Sequence, residues 1–375
     1  MKILLAYNYY KHQYIDIGVK MEALLHRLRN ANIDIHGFPL TVNPPGDTYY
    51  WKELDARWKR GDKKLCSLYE NLGIKSESFD ILVNYNGTNL HPDFVQQLST
   101  FNIFSCFDDP ESSEILSKPV AAAYDMSLVG NIAEVETYLQ WGAKEVRFFP
   151  LGFYKEDYDP ELTKEKILSE SRSNDIVLLC ERKTNYRANR LNKFAKAFPN
   201  GEYYGLGWPK GFLAENSIVD LYQKSKIGPN FHNSTGPINF RTYILPANGV
   251  LQICDNKSFL GKIFELDKEV IGFDTVEEAI EKTNYYLAHE NERKLIAAAG
   301  WERAIKDYNE VSVFSLIEKY SKLVMSNKKE HRDQRIYLWN HRKRTRIKRI
   351  IYVILFPLRI ILKIRAYLTW IYSNK

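Results

Sequence analysis

The sequence predicts an α/β protein of two consecutive doubly wound parallel sheets that face a cleft, followed by a basic amphipathic tail. Short apolar runs typical of buried strands alternate with segments of helical periodicity. This alternation stops once, in the charged, proline-containing stretch 153–174, and then begins again. The length of 375 residues also exceeds what one ordinary core holds, and the 45% hydrophobic content is typical of a globular chain.

The first half, residues 1–152, is predicted to form one parallel sheet. Its strands are expected at 2–7, 33–38, 79–86, 101–107, 120–130 and 145–152. Its helices are expected at 16–32, in the second half of 43–78, at 91–98 and at 131–141, with Asn131 as N-cap. Strands that alternate with helices in this way favour a parallel sheet, which collects ligands at the carboxyl ends of its strands.

The second half, residues 175–325, repeats the same pattern. Its strands are expected at 175–180, 202–207, 227–231, 250–254 and 268–273, and its helices at 186–197, 217–225, 276–289 and 290–306. In the central unit, 226–252, a polar loop leads into a helix that opens between Ile238 and Arg241. Free N–H groups at that helix start and the Arg241 guanidinium predict an anion site. The alternative is an ordinary crossover whose arginine pairs with a nearby carboxylate.

Several functional classes lose support because their motifs are absent. The sequence has no G-x-G-x-x-G after a strand, no phosphate-binding G-x-x-x-x-G-K-S/T, no G-x-S-x-G and no H-E-x-x-H. Its cysteines are scattered, without a C-x-x-C pair or a Cys/His cluster at metal spacing, and are expected to be reduced, buried thiols in a reducing compartment. The first residues are expected to form a strand, not a signal peptide.

The charge is unevenly distributed. Residues 326–375 hold 14 Lys and Arg against two acids, so the tail carries +12 and the net charge of +7 leaves −5 for residues 1–325. The basic run 342–349 precedes an apolar run at 350–362, which contains Pro357 and is shorter than the ~20 residues of a membrane span. Residues 342–372 are therefore expected to attach to an anionic membrane surface, peripherally and on the cytoplasmic face. A helix that packs on a partner protein is an alternative, whereas a nucleic-acid arm is disfavoured by the acidic body.

Residues 101–310 resemble the CgeB-like glycosyltransferases, which belong with the group 1 enzymes of the GT-B fold. The resemblance rests on the order and spacing of four stretches. They are YDMSLVGNIAEVETYLQWGAKEVRFFPLGFYKEDYDP (124–160), GLGW (205–208), SKIGPNFHNSTGPINFRTYILPANGVLQI (225–253) and the segment 264–308. The resemblance implies an N-terminal acceptor domain and a C-terminal nucleotide-sugar domain. It also implies that neither a metal nor a cofactor is required, the nucleotide-sugar being a substrate.

The same resemblance assigns donor-binding positions. The family's loop, helix and arginine fall on Asn230, Asn239 and Arg241, and its acid near the phosphate tail falls on Glu269. This chain departs from the pattern at three points. The positions are Ile244 and Gly236, where acids are usual, and Cys180–Glu181–Arg182, where a glycine-containing turn is usual. Glu181, Glu265 or Glu269 is then expected to take over ribose or sugar recognition.

Glycosyl transfer needs a base for the acceptor proton and positive charge for the leaving diphosphate. The base is expected among residues that follow strands. The candidates are Asp108 and Asp109, which the sequence does not distinguish, and His12. The candidates for the diphosphate and the sugar are Arg241, Arg182, Lys183, Arg187 and His232. Each candidate also has a purely structural alternative. Asp109 can be a turn or cap residue, and the histidines can be polar loop residues. The solvated face of a helix can account for Lys183, Arg187 and Arg190.

The sequence thus predicts a glycosyltransferase that moves a sugar from a nucleotide-diphosphate donor to a glycan acceptor. The basic tail favours a lipid-linked acceptor, as in cell-surface polysaccharide or lipopolysaccharide synthesis. Two alternatives stay open: a non-catalytic nucleotide- or glycan-binding scaffold, which Ile244 and Gly236 favour, and a nucleotide-sugar epimerase, which would act without an acceptor.

Overall fold

The computed structural model describes residues 1–9, 16–40, 50–87, 89–182, 185–325 and 334–373. Its strands form two sheets in which all neighbours are parallel. The first sheet contains β1 (Ile3–Asn8), β2 (Ile35–Leu40), β3 (Ile81–Tyr85), β4 (Phe101–Cys106), β5 (Met126–Val129) and β6 (Val146–Phe148). The second contains β7 (Asn174–Leu179), β8 (Glu202–Tyr204), β9 (Ser225–Asn230), β10 (Leu251–Cys254) and β11 (Ile271–Gly272). The prediction of two parallel-sheet α/β units is confirmed.

Helices connect the strands and cover the sheets. In the first half they are α1 (Ile17–Asn30), α2 (Trp51–Lys59), α3 (Lys63–Ser76), α4 (Pro92–Val95) and α5 (Val135–Gln140). The remaining helices are α6 (Lys164–Ser169), α7 (Asn185–Ala197), α8 (Ile218–Gln223), α9 (Arg241–Ala247), α10 (Lys257–Leu260), α11 (Val276–Ala288), α12 (Glu290–Asp307), α13 (Glu310–Val324) and α14 (Gln334–Ser373). Because helices cover the sheets, β1 is a continuous buried apolar run from Ile3 to Tyr7.

The order of strands places a crevice at one point of each sheet. The first sheet runs β2-β1-β3-β4-β5-β6 and the second β11-β10-β9-β7-β8. In each, the chain reverses its direction of winding beside the first strand, between β1 and β3 and between β7 and β9. Ligands of doubly wound sheets bind at such switch points, outside the carboxyl ends of the strands.

Some elements are shorter than predicted. The strand expected at 120–130 is a 3₁₀ turn at Ala121–Ala123 followed by the four-residue β5. The Tyr124 side chain between them is buried, and its hydroxyl accepts a hydrogen bond from Asn84 Nδ2 at 2.8 Å. Burial of this ring fixes the chain away from the sheet before β5 begins. The helix expected at 91–98 ends at Val95, although His91 caps it through an acceptor bond from the Asp93 amide.

The last helices return to the first sheet, although the sequence assigns residues up to 325 to the second domain. Val313, Phe314 and Ile317 of α13 are buried in one cluster with the apolar side chains of β1. The α1 guanidinium of Arg27 also bonds the α13 carboxylate of Glu310, with Nη2 and Oε2 2.8 Å apart. The chain therefore crosses back to the N-terminal domain before residue 310.

Helix α14 begins in contact with the N-terminal domain and then leaves it. Leu338 is buried in the core around Trp58, and the His341 ring stacks on Trp58 with centroids 3.9 Å apart. Beyond Arg349 its described side chains are exposed, and the helix continues through Pro357. Among the described residues, no helix combines the length and apolarity that a membrane crossing requires.

The four cysteines match their expected state. Cys66, Cys106, Cys180 and Cys254 are all free and buried. Burial raises the pKa of the Cys66 thiol to about 11 and also raises the pKa values of Cys106 and Cys254, so these thiols stay protonated. They serve as small apolar core residues.

Candidate active site

The loop between β9 and α9 is fixed by a buried amide network. Asn230, the last residue of β9, donates from Nδ2 to Thr242 Oγ1 at 3.2 Å and to Gln252 Oε1 at 3.1 Å. Its Oδ1 accepts from Asn239 Nδ2 at 2.9 Å. Asn230 and Asn239, both predicted to bind the donor, are thus joined to each other. They position the arginine that follows.

Arg241 bridges the ends of the two strands at the switch point of the second sheet. Its Nε donates to Asn230 Oδ1 at 3.2 Å, and its Nη1 donates to the carbonyl of Leu179, the last residue of β7, at 3.0 Å. In the described part of the chain no carboxylate lies within ion-pair distance of this guanidinium. The carboxylate-paired alternative therefore finds no partner there.

The helix next to the loop begins at Arg241, the last residue of the range expected for its start. Helix α9 has seven residues. The Thr242 amide is already bonded to Asn239 Oδ1 at 3.0 Å. Since this first turn is capped from within the loop, the guanidinium carries the positive charge of the site.

A second arginine from α7 faces the same crevice. Arg187 donates from Nη2 to the Glu181 carbonyl at 2.6 Å, while its Nε is buried without a hydrogen-bond partner among the described residues. Burial lowers the pKa of Arg187; Cys180, the next largest effect, opposes this, and the nearby Arg241 charge lowers the pKa further. Two close guanidinium groups with an unused buried donor make a site for an anion.

Arg190 is not part of a solvated helix face, as the structural alternative proposed. Its side chain is 16% exposed, and its Nη2 lies 2.9 Å from Asp255 Oδ2. The guanidinium also lies over the Phe231 ring, 5.0 Å from its centroid. Arg190 is therefore a buried ion-pair partner under the crevice.

His232 belongs to the same buried network. Its amide donates to Asp255 Oδ2 at 2.9 Å, and its Nδ1 lies 2.6 Å from Asp255 Oδ1. Burial lowers the pKa of His232 despite the Asp255 charge, so the ring is neutral near pH 7. His232, Cys254 and Asp255 place potential metal-ligand atoms within 4.8 Å of one another. The Asp255 oxygens already accept hydrogen bonds and the Cys254 thiol is protonated, so the group fits a structural network better than a metal site.

Two other donor-side candidates, Arg182 and Glu265, make their described contacts with residues other than Arg241. Arg182 donates to the Gly207 carbonyl at 3.3 Å, with its guanidinium 5.0 Å from the Trp208 ring centroid. Glu265 is exposed and pairs with Lys268, and its amide donates to Glu269 Oε2 at 2.7 Å. Lys183 lies outside the described residues.

Glu269 lies in the turn 267–269, before β11 begins at Ile271. Its carboxylate accepts the hydrogen bond from the Glu265 amide. Among the described residues, neither Glu265 nor Glu269 has a hydrogen bond or an ion pair with Arg241.

On the acceptor side, Asp109 is enclosed. It is 1% exposed and accepts hydrogen bonds from Ser113, Ser117 and Tyr138, with Ser117 Oγ 2.6 Å from Oδ2. With its oxygens occupied by three hydroxyl donors, this carboxylate organises the turn after β4. This agrees with the structural alternative for Asp109, that of a turn residue.

Asp108 has the opposite environment. It is an exposed residue at the end of β4, next to Asn86 at the end of β3. The surrounding protein and the Asp109 charge nevertheless raise the pKa of Asp108, while the hydrogen bond with Asn86 opposes them. A carboxylate that is open to the cleft and has a raised pKa is the better base of the two. His12, the third candidate, lies outside the described residues.

The two domains meet where the donor loop approaches the end of β5. A Cβ on Gly236 would overlap Asn131 Oδ1, and one on Gly130 would lie 3.1 Å from Ile238 Cδ1. The Asn131 Nδ2 group in turn donates to the Asp109 carbonyl at 3.3 Å. The acid that the group 1 pattern has at position 236 would not fit in this arrangement. Asp108 and the donor loop are consequently close neighbours.

The sequence reasoning missed Asp255 and Asn131 as parts of this site. The position of Asp255 could have been predicted, because it is an acidic residue at the carboxyl end of a strand. Asp255 follows β10 directly, and Asp108 lies two residues after β4. For Asn131 the helix-cap interpretation was sound, since its Oδ1 accepts from the Ala133 amide at 3.1 Å. Its second contact, with the other domain, has no local signal.

Two parallel-sheet α/β domains that face each other define the GT-B architecture. Residues 182–313, about a third of the chain, match the model of a family described as glycosyl transferase-like. No curated protein matches the chain. The family match and the fold support a glycosyltransferase.

Solved structures share this fold at low identity. Sucrose-phosphate synthase from Thermosynechococcus elongatus superposes with a TM-score of 0.56 at 11% identity, over 86% of this chain and 99% of that one. A glycosyltransferase from Rickettsia africae gives 0.54 at 12%, over 87% and 100%. Anabaena HepE in complex with UDP-glucose gives 0.53 at 13%, over 86% and 100%.

Proposed function

We propose that this protein transfers a sugar from a nucleotide-diphosphate donor to a glycan acceptor. The observation that carries the proposal is the convergence of Arg187 and Arg241 at the switch point of the second sheet. Burial and the nearby Arg241 charge disfavour the charged form of Arg187, and the buried Arg187 Nε has no partner among the described residues. A diphosphate would neutralise both groups and use the free donor.

The chemistry follows from this placement. The acceptor hydroxyl oxygen bonds to the anomeric carbon of the donor sugar while the bond from that carbon to the diphosphate oxygen breaks. Arg187 and Arg241 stabilise the negative charge that develops on the leaving diphosphate. Asp108, across the cleft, takes the acceptor proton, and its raised pKa suits this role.

Separate observations support the donor, the subgroup and the site of action. The likeness to HepE in complex with UDP-glucose makes UDP-glucose the first donor to test. The quoted stretches support the CgeB-like subgroup and transfer without a metal. The exposed apolar side chains of α14 support attachment to a membrane surface, and hence a lipid-linked acceptor in polysaccharide or lipopolysaccharide synthesis.

The experiment is a thermal-shift screen of the full chain against UDP, GDP, CMP and dTDP and their sugars. We expect one nucleotide to stabilise the protein, by about 2.7 kcal/mol at a hundredfold excess over Kd. Arg241→Ala and Arg187→Ala should abolish the shift. Arg147→Ala is the matched control, since Arg147 is a half-buried arginine of β6 that pairs with Glu145. A shift that survives in both site variants contradicts the assigned site, and no shift with any nucleotide favours the scaffold alternative.

A further inference from the structure

A basic pocket lies where the start of α14 crosses the end of α2, outside the cleft described above. Its volume is about 650 Å³. Cations supply five of its eight lining residues, which are Arg60, Gly61, Trp339, Arg342, Lys343, Thr345, Arg346 and Arg349. We call it the α2–α14 pocket.

Docking of α14 on the N-terminal domain creates the pocket. His341 stacks on Trp58 and places Nε2 3.0 Å from the Trp58 carbonyl. Gly61, with a φ of +63°, ends α2 where a Cβ would overlap the Thr345 hydroxyl. This contact sets the arginine-bearing face of α14 beside Arg60. The pocket is therefore a product of tertiary packing and would be absent from a free helix.

The positive charge of the pocket is only partly compensated. Arg60 lies 3.4 Å from Asp62, which it shares with Arg57. Within the described residues, no carboxylate lies at ion-pair distance from Arg342, Arg346 or Arg349, and the α14 sequence contains no acid. Such a cluster attracts a group with several anionic oxygens, which guanidinium groups bind through paired N–H donors.

The position of the pocket along α14 identifies the kind of anion. Immediately beyond Arg349 the helix exposes large apolar side chains, among them Ile350, Ile351, Val353 and Ile354, which are 49 to 67% exposed. Trp339, 60% exposed, stands at the pocket itself. Cations and a tryptophan next to an exposed apolar helix match the boundary between lipid headgroups and acyl chains. A nucleic acid would leave the apolar residues without a partner.

We propose that the α2–α14 pocket binds the phosphate headgroup of an anionic membrane lipid. A lipid bound in the pocket fixes the orientation of the N-terminal domain relative to the membrane surface. Attachment through the distal helix alone would leave the domain free to rotate. This inference rests on the membrane attachment proposed above and deepens it by naming a headgroup site. It does not depend on the donor site.

The test compares two charge-matched double variants of the full chain. Arg342→Ala with Arg346→Ala removes two pocket cations. Arg344→Ala with Lys348→Ala removes two exposed cations of the same helix that do not line the pocket. Binding is measured by co-sedimentation with phosphatidylcholine vesicles containing 0% or about 30% phosphatidylglycerol. Diffuse attraction is worth about fivefold in affinity per cation, so both pairs lose roughly 25-fold from that effect alone. We expect the pocket pair to lose at least about tenfold more.

Equal losses of vesicle affinity in the two double variants, or no loss in either, would overturn the proposal of a headgroup site in the pocket. A second arm titrates inorganic phosphate and diphosphate against vesicle-bound protein at constant ionic strength. Release at micromolar concentration would identify a soluble anion as the ligand and overturn the lipid assignment, while retention supports it. The nucleotide thermal shift of both double variants separates this result from the proposed catalytic function, since it should match that of the unsubstituted protein.

Discussion

Two neighbouring carboxylates illustrate how surroundings assign roles at the residue scale. Asp109 is enclosed by Ser113, Ser117 and Tyr138, whereas Asp108 faces the cleft beside Asn86. A charge that is already hydrogen-bonded on both oxygens contributes to stability, while an open one with a raised pKa is available for proton transfer. Adjacent residues of the same type thus predict opposite mutational effects.

We expect Asp108→Asn to lower the transfer rate by about 100- to 10,000-fold with little change in thermal stability. Asp109→Ala should instead destabilise the fold by about 3 kcal/mol, because three hydroxyl donors lose their acceptor. Initial rates and denaturant unfolding of both variants give the comparison. If Asp108→Asn destabilises the protein as much as Asp109→Ala does, the two roles are misassigned.

The buried His232 makes stability depend on pH. Burial lowers the folded-state pKa of His232 below its ordinary value of 6.5, so the unfolded chain binds more protons between these two values. Stability should therefore fall as the pH drops below about 6.5. Replacement by asparagine, which keeps a donor for Asp255, should reduce the loss between pH 7 and 5.5 by on the order of 1 kcal/mol.

Unfolding by urea at the two pH values measures this effect. His26→Asn, at an exposed position of α1, serves as the control and should leave the pH dependence unchanged. An unchanged slope in His232→Asn would show that other groups carry the dependence, with the buried His91, whose pKa burial also lowers, the next to examine.

At the scale of single elements, the loop between β9 and α9 joins the two domains. Asn230 and Asn239 hold its ends together, and Gly236 at its tip lies against Asn131. The φ of Gly236 is not in the left-handed region, so the requirement for glycine is one of space alone. The loss of the usual acid at this position is thus coupled to how closely the domains approach.

We expect Gly236→Ala to weaken donor affinity and activity by about tenfold, since the new methyl group pushes the loop off Asn131 at a cost of about 1 to 3 kcal/mol. Adding Asn131→Gly should restore most of the loss, because it removes the overlapping amide and glycine remains an acceptable N-cap. Asn131→Gly alone is the control. If the double variant is not rescued, the overlap between residue 236 and Asn131 is not what lowers donor affinity.

At the scale of the whole molecule, the C-terminal helices bind the two ends of the chain together. Helix α13 completes the core of the first sheet, and the start of α14 packs on Trp58. Beyond Arg349 the described side chains of α14 are exposed. Removal of the whole tail and removal of its distal half should therefore have different consequences.

Deletion of residues 350–375 should release the protein from membranes while its melting temperature stays close to that of the full chain. Deletion of 326–375 should in addition destabilise it by about 2 to 4 kcal/mol, since Leu338 leaves a cavity and Trp58 loses its stacking partner. Membrane fractionation and thermal unfolding separate the two effects. Recovery of the shorter deletion in the membrane pellet would contradict attachment through the distal helix.

The sequence by itself determined the two α/β units, because the alternation of apolar strands with helices is a local pattern that parallel sheets require. It also placed Asp108 directly after a strand and Arg241 at the start of a helix, at the sheet edge where the topology gathers ligand-binding groups. The basic tail was equally evident from composition. These features depend on neighbours in the chain.

Only the tertiary structure decided which of these groups meet. Asp109 is a structural residue because Tyr138, 29 positions away, donates to it, and Arg190 forms an ion pair with Asp255. Helix α13 packs on the first sheet. The cations of the basic run 342–349 line a pocket only because α14 docks on the N-terminal domain. Such pairings follow from how the sheets and helices pack over long sequence separations, and no local period or propensity records that packing.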